Sequence, residues 1–339
     1  MAGGPVTQVR NMLTGFNAVF ALDVGIDTGL VDNLAAQEPV SLERFVNSTE
    51  MHPRHVGAWL RAVQAAGVVE VDKDGMARFS PGWRDALTNP DSPDYVRTLP
   101  GCYAAVAGVA YPRFAGLFKS QETMDWRDFP KDVIKKVYAD GARFGREFAD
   151  EVVPVIPGLK ARLESGIMVY DVGCGDGGFL FRFAEKYPRS NCLGIDCCQA
   201  AIDLANEGKS KIGRQTKIQF TTQMIHELPE AQADLIVLSE VLHEVGADKR
   251  GDLLQAIYRT LKPGGVLFVV DPVLPDSHEG YLTRSAQHLA MMVFSEAPLV
   301  PDAPLTRKDF FALLKAAGFD QSLNEVGSSD SYLTAWVVK

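Results

Sequence analysis

Val169-Tyr-Asp-Val-Gly-Cys-Gly-Asp-Gly-Gly-Phe179 is the stretch of sequence that decides the fold. Its first residues form a short, mostly apolar run that is typical of a buried strand, and Phe179–Lys186 has the spacing of a helix. Between them, Gly173, Gly175 and Gly177 allow the chain to turn tightly and let a ligand approach the main chain closely. A strand, a glycine-rich loop and a helix in this order predict a site for a nucleotide-like ligand.

Two carboxylates near this loop indicate what kind of ligand it binds. Asp196 closes the next apolar strand, about 20 residues after the loop, where a carboxylate can accept hydrogen bonds from both ribose hydroxyls. Asp171 lies inside the motif itself, where a pyrophosphate would gain nothing from a negative charge but a cationic amino-acid group would. The sequence therefore favours a nucleoside that carries a cationic amino acid over a dinucleotide.

Short apolar runs alternate with helical patterns through the C-terminal part of the chain. This alternation predicts a mostly parallel sheet that is covered by helices on both faces. Near the end of the chain, Phe310–Ala317 is a predicted helix and Thr306 is its predicted N-cap. The predicted strands are Met168–Val172, Cys192–Ile195, Lys217–Phe220, Leu235–Leu238, Val266–Val270 and Tyr332–Val338.

The front of the chain, residues 1–90, has a different pattern. His55–Ala66 carries apolar residues at helical spacing and follows earlier helical segments. Asp74-Gly75 is a strong turn signal, so Val68–Val71 and Met76–Phe79 are predicted to form a hairpin. Helices followed by a two-stranded wing predict a winged-helix-like domain.

The remaining boundaries follow from composition. Residues 91–160 are rich in aromatic residues and arginine, and they are predicted to form a helical bridge that lines the substrate pocket. Residues 161–339 are then the domain that holds the glycine-rich loop and the predicted sheet. Three parts are therefore expected, with divisions near residues 90 and 160.

The composition excludes several classes of partner. The formal net charge of −9 argues against nucleic acid and against an anionic membrane surface, because both require clustered Lys and Arg. No apolar stretch approaches the ~20 residues that span a bilayer, and we expect no signal peptide in the first ten residues. The five cysteines are odd in number and form no CxxC pair, which predicts reduced thiols and a cytoplasmic protein.

Four motifs occur in a fixed order over about 100 residues: Asp171–Gly177, Gly194–Asp196, Asp234–Leu238 and Leu261–Gly265. Together they resemble the class I S-adenosylmethionine-dependent methyltransferases. With its winged-helix-like front and helical bridge, the whole chain is similar to the small-molecule methyltransferases typified by plant and bacterial O-methyltransferases. The resemblance implies an α/β fold with a doubly wound, Rossmann-like sheet of seven strands, one of them antiparallel. It also implies S-adenosyl-L-methionine as the cofactor.

The resemblance further implies which residues hold the cofactor. The glycine loop would face its homocysteine part, and Asp196 would bind its ribose. Gln223 stands where the family usually has an Asp that faces the adenine amino group, and its side-chain carbonyl can serve there. Ser239 and Glu240 follow the fourth strand and would line the floor of the site near the methyl group. The predicted cofactor-binding residues are Asp171, Gly173, Gly175, Gly177, Asp196, Gln223, Ser239 and Glu240.

Methyl transfer from a sulfonium is an in-line displacement, which requires alignment and, for a hydroxyl acceptor, removal of a proton. The resemblance implies that His243, in Leu242-His-Glu-Val245, is the general base, although the family's segment reads Leu-His-Asp-Trp. Histidine suits this role because its unperturbed pKa lies near neutrality. Asp271, after the fifth strand, stands where the family has a carboxylate that orients the histidine. The family's second supporting carboxylate has no clear equivalent, because Asp302 is displaced.

The acceptor would bind mainly to the bridge, whose arginines could hold a carboxylate. The predicted substrate-binding residues are Arg113, Tyr138, Arg143, Arg146 and, further along the chain, His288. The favoured function is methylation of a hydroxyl oxygen on a small molecule.

Other functions are open on the sequence. A sulfur acceptor needs little or no base, and the layout is similar to the methylthiohydroxybutyrate S-methyltransferases. His243 and His288 resemble the two-histidine metal site of the α-keto-acid C-methyltransferases, but no short ligand spacing supports a metal and none is predicted. A winged helix is also compatible with a transcription factor that senses S-adenosylmethionine, which the net charge disfavours. A dinucleotide-dependent oxidoreductase is disfavoured by Asp171.

The N-terminal helix predicts self-association. Met12, Phe16, Val19 and Phe20 give it more apolar surface than the core of one chain needs. In the family that the chain resembles, the front domain dimerises and does not read DNA. We therefore expect a homodimer formed through the N-terminal domain.

Overall fold

The chain forms two units, residues 1–108 and 109–339. The computed structural model describes residues 4–120, 122–212, 217–319, 323–327, 329 and 331–339. The predicted division into three parts, near residues 90 and 160, stays a prediction. None of the helices within the described residues is both long enough and apolar enough to cross a membrane.

Helices and a small sheet build the N-terminal unit. Its elements are α1 (Pro5–Asp27), α2 (Leu30–Gln37), β1 (Val40–Ser41), α3 (Leu42–Asn47), α4 (Pro53–Ala65), β2 (Val69–Val71), β3 (Met76–Phe79) and α5 (Trp83–Thr88). The three strands form an antiparallel sheet in the order β1-β3-β2, with β2 and β3 as the wing. Four helices precede this wing, and the winged-helix-like nature of the unit stays a prediction.

Several helices lie between the small sheet and the large one. They are α6 (Thr98–Ser120), which crosses the boundary between the units, and then α7 (Lys131–Tyr138), α8 (Gly141–Glu147) and α9 (Leu159–Ser165). A π-helical turn at Phe148–Val152 and a short 3-10 turn at Val153–Val155 connect α8 to α9. A Cβ added at Gly145 would stand 2.6 Å from the carbonyl oxygen of Phe179. Glycine at this position therefore allows α8 to pack closely against the helix that contains Phe179.

A seven-stranded sheet carries the C-terminal unit. Its elements are β4 (Met168–Val172), α10 (Gly178–Lys186), β5 (Asn191–Ile195), α11 (Gln199–Lys209), β6 (Ile218–Thr221), β7 (Ala233–Ser239), α12 (Ala247–Thr260), β8 (Leu261–Pro272), α13 (Arg284–Glu296), α14 (Arg307–Ala316), β9 (Asn324–Glu325) and β10 (Tyr332–Val338). The strand order is β6-β5-β4-β7-β8-β10-β9. The pairs among β4 to β8 are parallel, and β10 is antiparallel to both β8 and β9. The predicted doubly wound α/β fold is confirmed.

Two apolar layers cover the faces of this sheet. On one face, the π-helical turn, α10 and β8 contribute an aromatic cluster in which Phe148 packs edge-on against Phe179 and Phe268, with ring centroids 5.5 and 4.7 Å apart. On the other face, Leu254 of α12 and Phe310 of α14 are buried against the strands. Since both faces are buried, the central strands of the sheet are mostly apolar, and these apolar runs allowed their prediction from the sequence.

A packing contact between α1 and α4 makes one glycine necessary. A Cβ added at Gly25 would stand 2.5 Å from Nε1 of Trp59, and this nitrogen is held because it donates to the carbonyl of Ala21 at 2.8 Å. We expect Gly25→Ala to destabilise the N-terminal unit by about 1–3 kcal/mol through overpacking. Thermal denaturation followed by circular dichroism measures the effect.

Gly57→Ala on α4 is the matched control. A Cβ there meets only the end of the Arg61 side chain, at 3.7 Å. Because alanine is the better helix former, this change should be neutral or stabilise by about 0.5–1 kcal/mol. Equal melting temperatures for the two variants would show that the tight contact of Gly25 has no energetic weight.

Candidate active site

The glycine loop between β4 and α10 has the backbone that the sequence predicted. Gly173, Gly175 and Gly177 have φ angles of 78°, 53° and 79°, a region that side chains other than glycine rarely adopt. The main-chain N–H groups of Gly173 and Cys174 donate to the carbonyl of Ile195 at 2.7 and 3.0 Å. The loop is therefore fixed to the end of β5.

Asp196 stands at the end of β5 and binds this loop. Its carboxylate accepts hydrogen bonds from the main-chain N–H of Gly175 at 2.9 Å and of Cys198 at 2.8 Å. Burial raises the pKa of Asp196, while these two hydrogen bonds lower it. A carboxylate can accept about four hydrogen bonds, so Asp196 keeps capacity for two ribose hydroxyls.

Asp171 fits a ligand with an ammonium group. Its side chain is buried, and Oδ2 has no hydrogen-bond partner among the described residues. Burial, and then the charge of Asp196, raise the pKa of Asp171 to about 8. An orphaned carboxylate is costly to bury, and a cation nearby would stabilise its ionised form. Together with the glycine loop and Asp196, this donor set fits S-adenosylmethionine.

Of three other predicted residues, Tyr138 contacts the glycine loop. A Cβ added at Gly175 would stand 2.7 Å from the ring of Tyr138, so the tyrosine predicted to bind the acceptor packs on the cofactor loop. Gln223 is exposed after β6, and its Nε2 donates to the carbonyl of Glu227 at 3.3 Å. Ser239 ends β7 and is half-buried.

Glu240 follows β7 in a strained conformation. Its φ angle is 57°, which is uncommon for a residue other than glycine, and its N–H donates to the carbonyl of Val270 at 2.8 Å. The side chain reaches solvent, yet burial raises its pKa to about 8. Backbone outliers of this kind cluster at functional sites, and we call the region that Glu240 shares with the glycine loop and His243 the cleft.

His243 and Asp271, the predicted catalytic residues, are brought together. Nδ1 of His243 lies 3.3 Å from Oδ1 of Asp271, within ion-pair distance but without hydrogen-bond geometry. The same carboxylate accepts hydrogen bonds from the main-chain N–H groups of Val241, Leu242 and His243 at 3.2, 2.8 and 3.1 Å. Asp271 thus holds both the ring and the loop that carries it.

Four carboxylates surround the ring of His243. Burial by itself would lower the pKa of His243, but Asp271, and then Glu244 and Glu240, raise it to about 10. Burial raises the pKa of Glu244 to about 7, and the charge of His243 works against this shift. The fourth carboxylate belongs to Glu296, whose Oε2 lies 3.8 Å from Nε2 of His243. This end of the cleft is strongly negative.

Glu296 was not predicted from the sequence. It is the last residue of α13, and no motif marks that position. Asp302, the displaced residue before the final helix, instead accepts a hydrogen bond from the main-chain N–H of Ala247 at 2.7 Å, at the start of α12. The second carboxylate beside His243 therefore comes from the end of α13 and not from the segment before the final helix.

The remaining substrate candidates either pair with nearby carboxylates or are exposed. Arg143 forms ion pairs with Asp140 and Glu147, the latter at 2.6 Å, and Arg146 lies 3.8 Å from Glu147. Arg113 on α6 and His288 on α13 are exposed. Among the described residues, no group of three or more His, Cys, Asp or Glu side chains is arranged to hold a metal ion. Substrate binding by these four residues stays a prediction.

Comparison with known proteins identifies the C-terminal unit. Residues 169–265 match a family model described as a methyltransferase domain. Acetylserotonin O-methyltransferase of Macaca mulatta is 33% identical over 228 residues, which are 66% of this chain and 63% of that protein. Tetracenomycin polyketide synthesis 8-O-methyl transferase of Streptomyces glaucescens is 22% identical over 311 residues, 86% of this chain and 85% of that protein. The chain spans about half the length of several other curated relatives.

A solved structure shows the same fold across both units. The crystal structure of human N-acetylserotonin methyltransferase in complex with SAM aligns with 100% of this chain and 99% of its own, with a TM-score of 0.71 and 18% sequence identity. The matched domain covers the glycine loop, Asp196 and the strand before His243, the same residues that carry the motifs. Residues 169–265 therefore belong to a methyltransferase domain, and over its whole length the chain is similar in fold to an O-methyltransferase that was crystallised with SAM.

Proposed function

We propose that this protein transfers a methyl group from S-adenosylmethionine to a hydroxyl oxygen of a small molecule, with His243 as the base. The main support for this proposal is the contact between His243 and Asp271 near the glycine loop. Asp271 lies 3.3 Å from Nδ1, which leaves Nε2 to face the acceptor. A histidine held in this way is positioned to take a proton.

The reaction needs little covalent chemistry from the protein. When bound, S-adenosylmethionine supplies a methyl group on a positively charged sulfur. His243 takes the hydroxyl proton on Nε2 as the oxygen–carbon bond forms and the carbon–sulfur bond breaks, so charge and atoms balance. Asp271 stabilises the imidazolium that results. The other task of the site is alignment, because an in-line displacement requires close approach in one direction.

The charge of the cleft determines when His243 can act. Its pKa of about 10 means that the ring is protonated at neutral pH in the cofactor-free protein. His243 loses this proton more readily when a positive charge occupies the same cleft, because like charges disfavour each other. We therefore propose that the base becomes competent after the cofactor binds. The rate should rise with pH above neutrality.

The other acceptors that the sequence left open gain no support. A small sulfur-containing acid would need a cation for its carboxylate, but Arg143 is already paired with two carboxylates. Metal-assisted C-methylation would need His243 and His288 together, but His243 is buried and His288 is exposed. The negative cleft also disfavours any anionic acceptor.

We also propose that the protein is a homodimer. Helix α1 carries an apolar stripe at spacings of three and four residues that its own unit leaves exposed. A second copy of the same helix would cover it, as in a two-stranded helical seam. The stripe consists of Val6, Val9, Leu13, Phe16, Phe20 and Val24.

A cytoplasmic location is a further proposal. Cys174, Cys192, Cys197 and Cys198 are free thiols, and an oxidising compartment would not preserve them reliably. The formal net charge of −9 supports a protein without nucleic-acid or anionic-membrane partners.

The cofactor site is tested by Asp196→Ala. Loss of charge-assisted hydrogen bonds to the ribose should weaken S-adenosylmethionine binding by about 1–3 kcal/mol, measured by titration calorimetry. Asp203→Ala is the control, because Asp203 is exposed on α11. Equal affinity of the Asp196 variant and the wild-type protein would remove Asp196 from the cofactor site.

The acceptor and the base are tested together. A panel of phenols, aliphatic alcohols, thiols, amines and α-keto acids is incubated with S-adenosylmethionine, and formation of S-adenosylhomocysteine is measured. With a hydroxyl acceptor, His243→Ala should slow turnover by about two to four orders of magnitude and leave cofactor affinity unchanged. The wild-type rate should rise from pH 7 towards pH 10, since His243 must be neutral to accept a proton. The rate of the His243→Ala variant should not show this rise with pH.

Two results would contradict the base assignment. One is a His243→Ala variant that keeps most of its rate with a hydroxyl acceptor. The other is a panel in which only thiols or thioethers react, since such acceptors need little help from a base. Loss of wild-type activity on chelation would point instead to a metal.

Self-association is tested by light scattering at micromolar concentration. The wild-type mass should be near twice the 37.0 kDa of one chain. Leu13→Glu combined with Phe16→Glu places two charges in the stripe and should give a monomer. Leu42→Glu changes an exposed apolar residue outside α1 and should leave the dimer intact. A monomeric wild-type protein would disprove the proposal.

A further inference from the structure

A buried base needs a route for its proton. The side chains of His243 and Asp271 are 4% and 3% exposed, so neither can exchange protons directly with bulk water. If His243 accepts a proton in each turnover, as proposed above, that proton has to leave before the next one. The contacts of the ring therefore determine where it can go.

Asp271 cannot be this route. Its two carboxylate oxygens accept three main-chain hydrogen bonds from the loop that carries His243. Protonation of Asp271 would weaken all three and would place the proton at a group without solvent access. Arg250, which packs against the loop from α12, is a cation whose guanidinium donates to the carbonyls of His243 and Val245 at 3.3 and 2.8 Å.

Glu296 has the properties that Asp271 lacks. Its Oε2 lies 3.8 Å from Nε2, on the side of the ring opposite Asp271, and its side chain is 25% exposed. Within the described part of the chain, Asp271 and Glu296 are the carboxylates that come within ion-pair distance of the ring. Glu240 and Glu244 act on His243 through their charge.

We propose that Glu296 is a positioning residue that relays the proton from Nε2 of His243 to solvent. This inference rests on the proposed role of His243 as the base. The proton leaves Nε2, which returns the imidazole to its neutral form, and it binds Oε2 of Glu296 once the 3.8 Å contact tightens to hydrogen-bond distance or is bridged by one water. Glu296 then releases it to water, and the carboxylate is restored. No oxidant, reductant or further group is needed.

The charges support a relay that resets itself. Burial raises the pKa of Glu296, whereas a charged His243 lowers it. Neutral His243 therefore allows Glu296 to hold a proton, and the next protonation of His243 favours its release from Glu296 to water. The other charged groups around the ring are Glu240 and Glu244 from the same loop, Asp271 from the end of the neighbouring strand, and Arg250 from α12. Their charges influence His243 whether or not the ring is protonated.

The coupling is tested first without any acceptor. The imidazole of His243 is titrated by NMR in the wild-type protein, in Glu296→Gln and in the control Glu151→Gln, which changes an exposed glutamate on the Phe148–Val152 turn. Removing the carboxylate beside Nε2 should lower the pKa of His243 by about one unit or more, since a nearby negative charge favours the imidazolium. The control should titrate like the wild-type protein, and Glu296→Asp should lie between.

The relay itself is tested by turnover with a hydroxyl acceptor from the panel. Glu296→Gln should lower kcat by about tenfold, less than the loss of the base itself, because Glu296 acts only on the release of the proton. Its KM and its affinity for S-adenosylhomocysteine should stay near wild type. Adding imidazole or formate as a small proton carrier should restore much of the rate of Glu296→Gln and Glu296→Ala, but should not change the wild-type rate.

The outcomes separate this inference from the proposed function. An unchanged pKa of His243 in Glu296→Gln would overturn the relay, whether or not an acceptor is found. A loss of rate that no proton carrier restores would show a structural role and would also overturn it. A normal His243→Ala rate would instead refute the base, while the NMR titration would still report whether Glu296 and His243 share a proton site.

Discussion

The carboxylate of Asp271 is the constraint on which the catalytic end of the cleft depends. It stands at the end of β8 and accepts three main-chain hydrogen bonds from residues 241–243, the start of a 3-10 turn. The N–H groups at the start of such a turn have no partner within it, and a buried carboxylate satisfies them. Because β7 and β8 are parallel neighbours, their carboxyl ends bring the two loops together. The position of His243 follows from this contact.

The same region concentrates charge at a cost in stability. Glu240, with a pKa of about 8 in the folded protein against an ordinary 4.5, is disfavoured as an anion, so its contribution to stability falls as pH rises from about 4.5 to 8. His243 behaves in the opposite sense. Its pKa is about 10 against an ordinary 6.5, so its stabilising contribution is complete below about 6.5 and is lost as pH rises towards 10. A cationic ligand stabilises the ionised form of Glu240. Because this unfavourable interaction of the empty site is then removed, the site binds such a ligand more tightly.

Predictions from the sequence were most accurate where burial imposes a pattern. Met168–Val172, Met76–Phe79 and Tyr332–Val338 were predicted with the bounds that the structure has, because apolar runs and a turn signal define them. The strand predicted at Val266–Val270 extends to Leu261–Pro272, since Leu261 pairs with β7 across a register shift and Asp271 and Pro272 pair with β10. The two-residue strand β9 (Asn324–Glu325) was not predicted, because two exposed polar residues at a sheet edge carry no periodic signal.

The sequence by itself determined the elements that stand at the ends of parallel strands. Asp196, His243 and Asp271 lie at or just after the carboxyl ends of three parallel strands of one sheet, and parallel strands bring these ends to the same edge. Only the tertiary structure decided that Glu296 faces His243, since the path from β8 through α13 has no repeat or pairing that defines its direction. It also decided that Tyr138 packs on the glycine loop and that Arg143 pairs with neighbouring carboxylates. The physical reason lies in how each group is positioned. Strands have a local apolar pattern and regular hydrogen bonding, so residues at their ends can be placed from the sequence. The end of a helix or of a long side chain is placed by packing against residues that are distant in the chain.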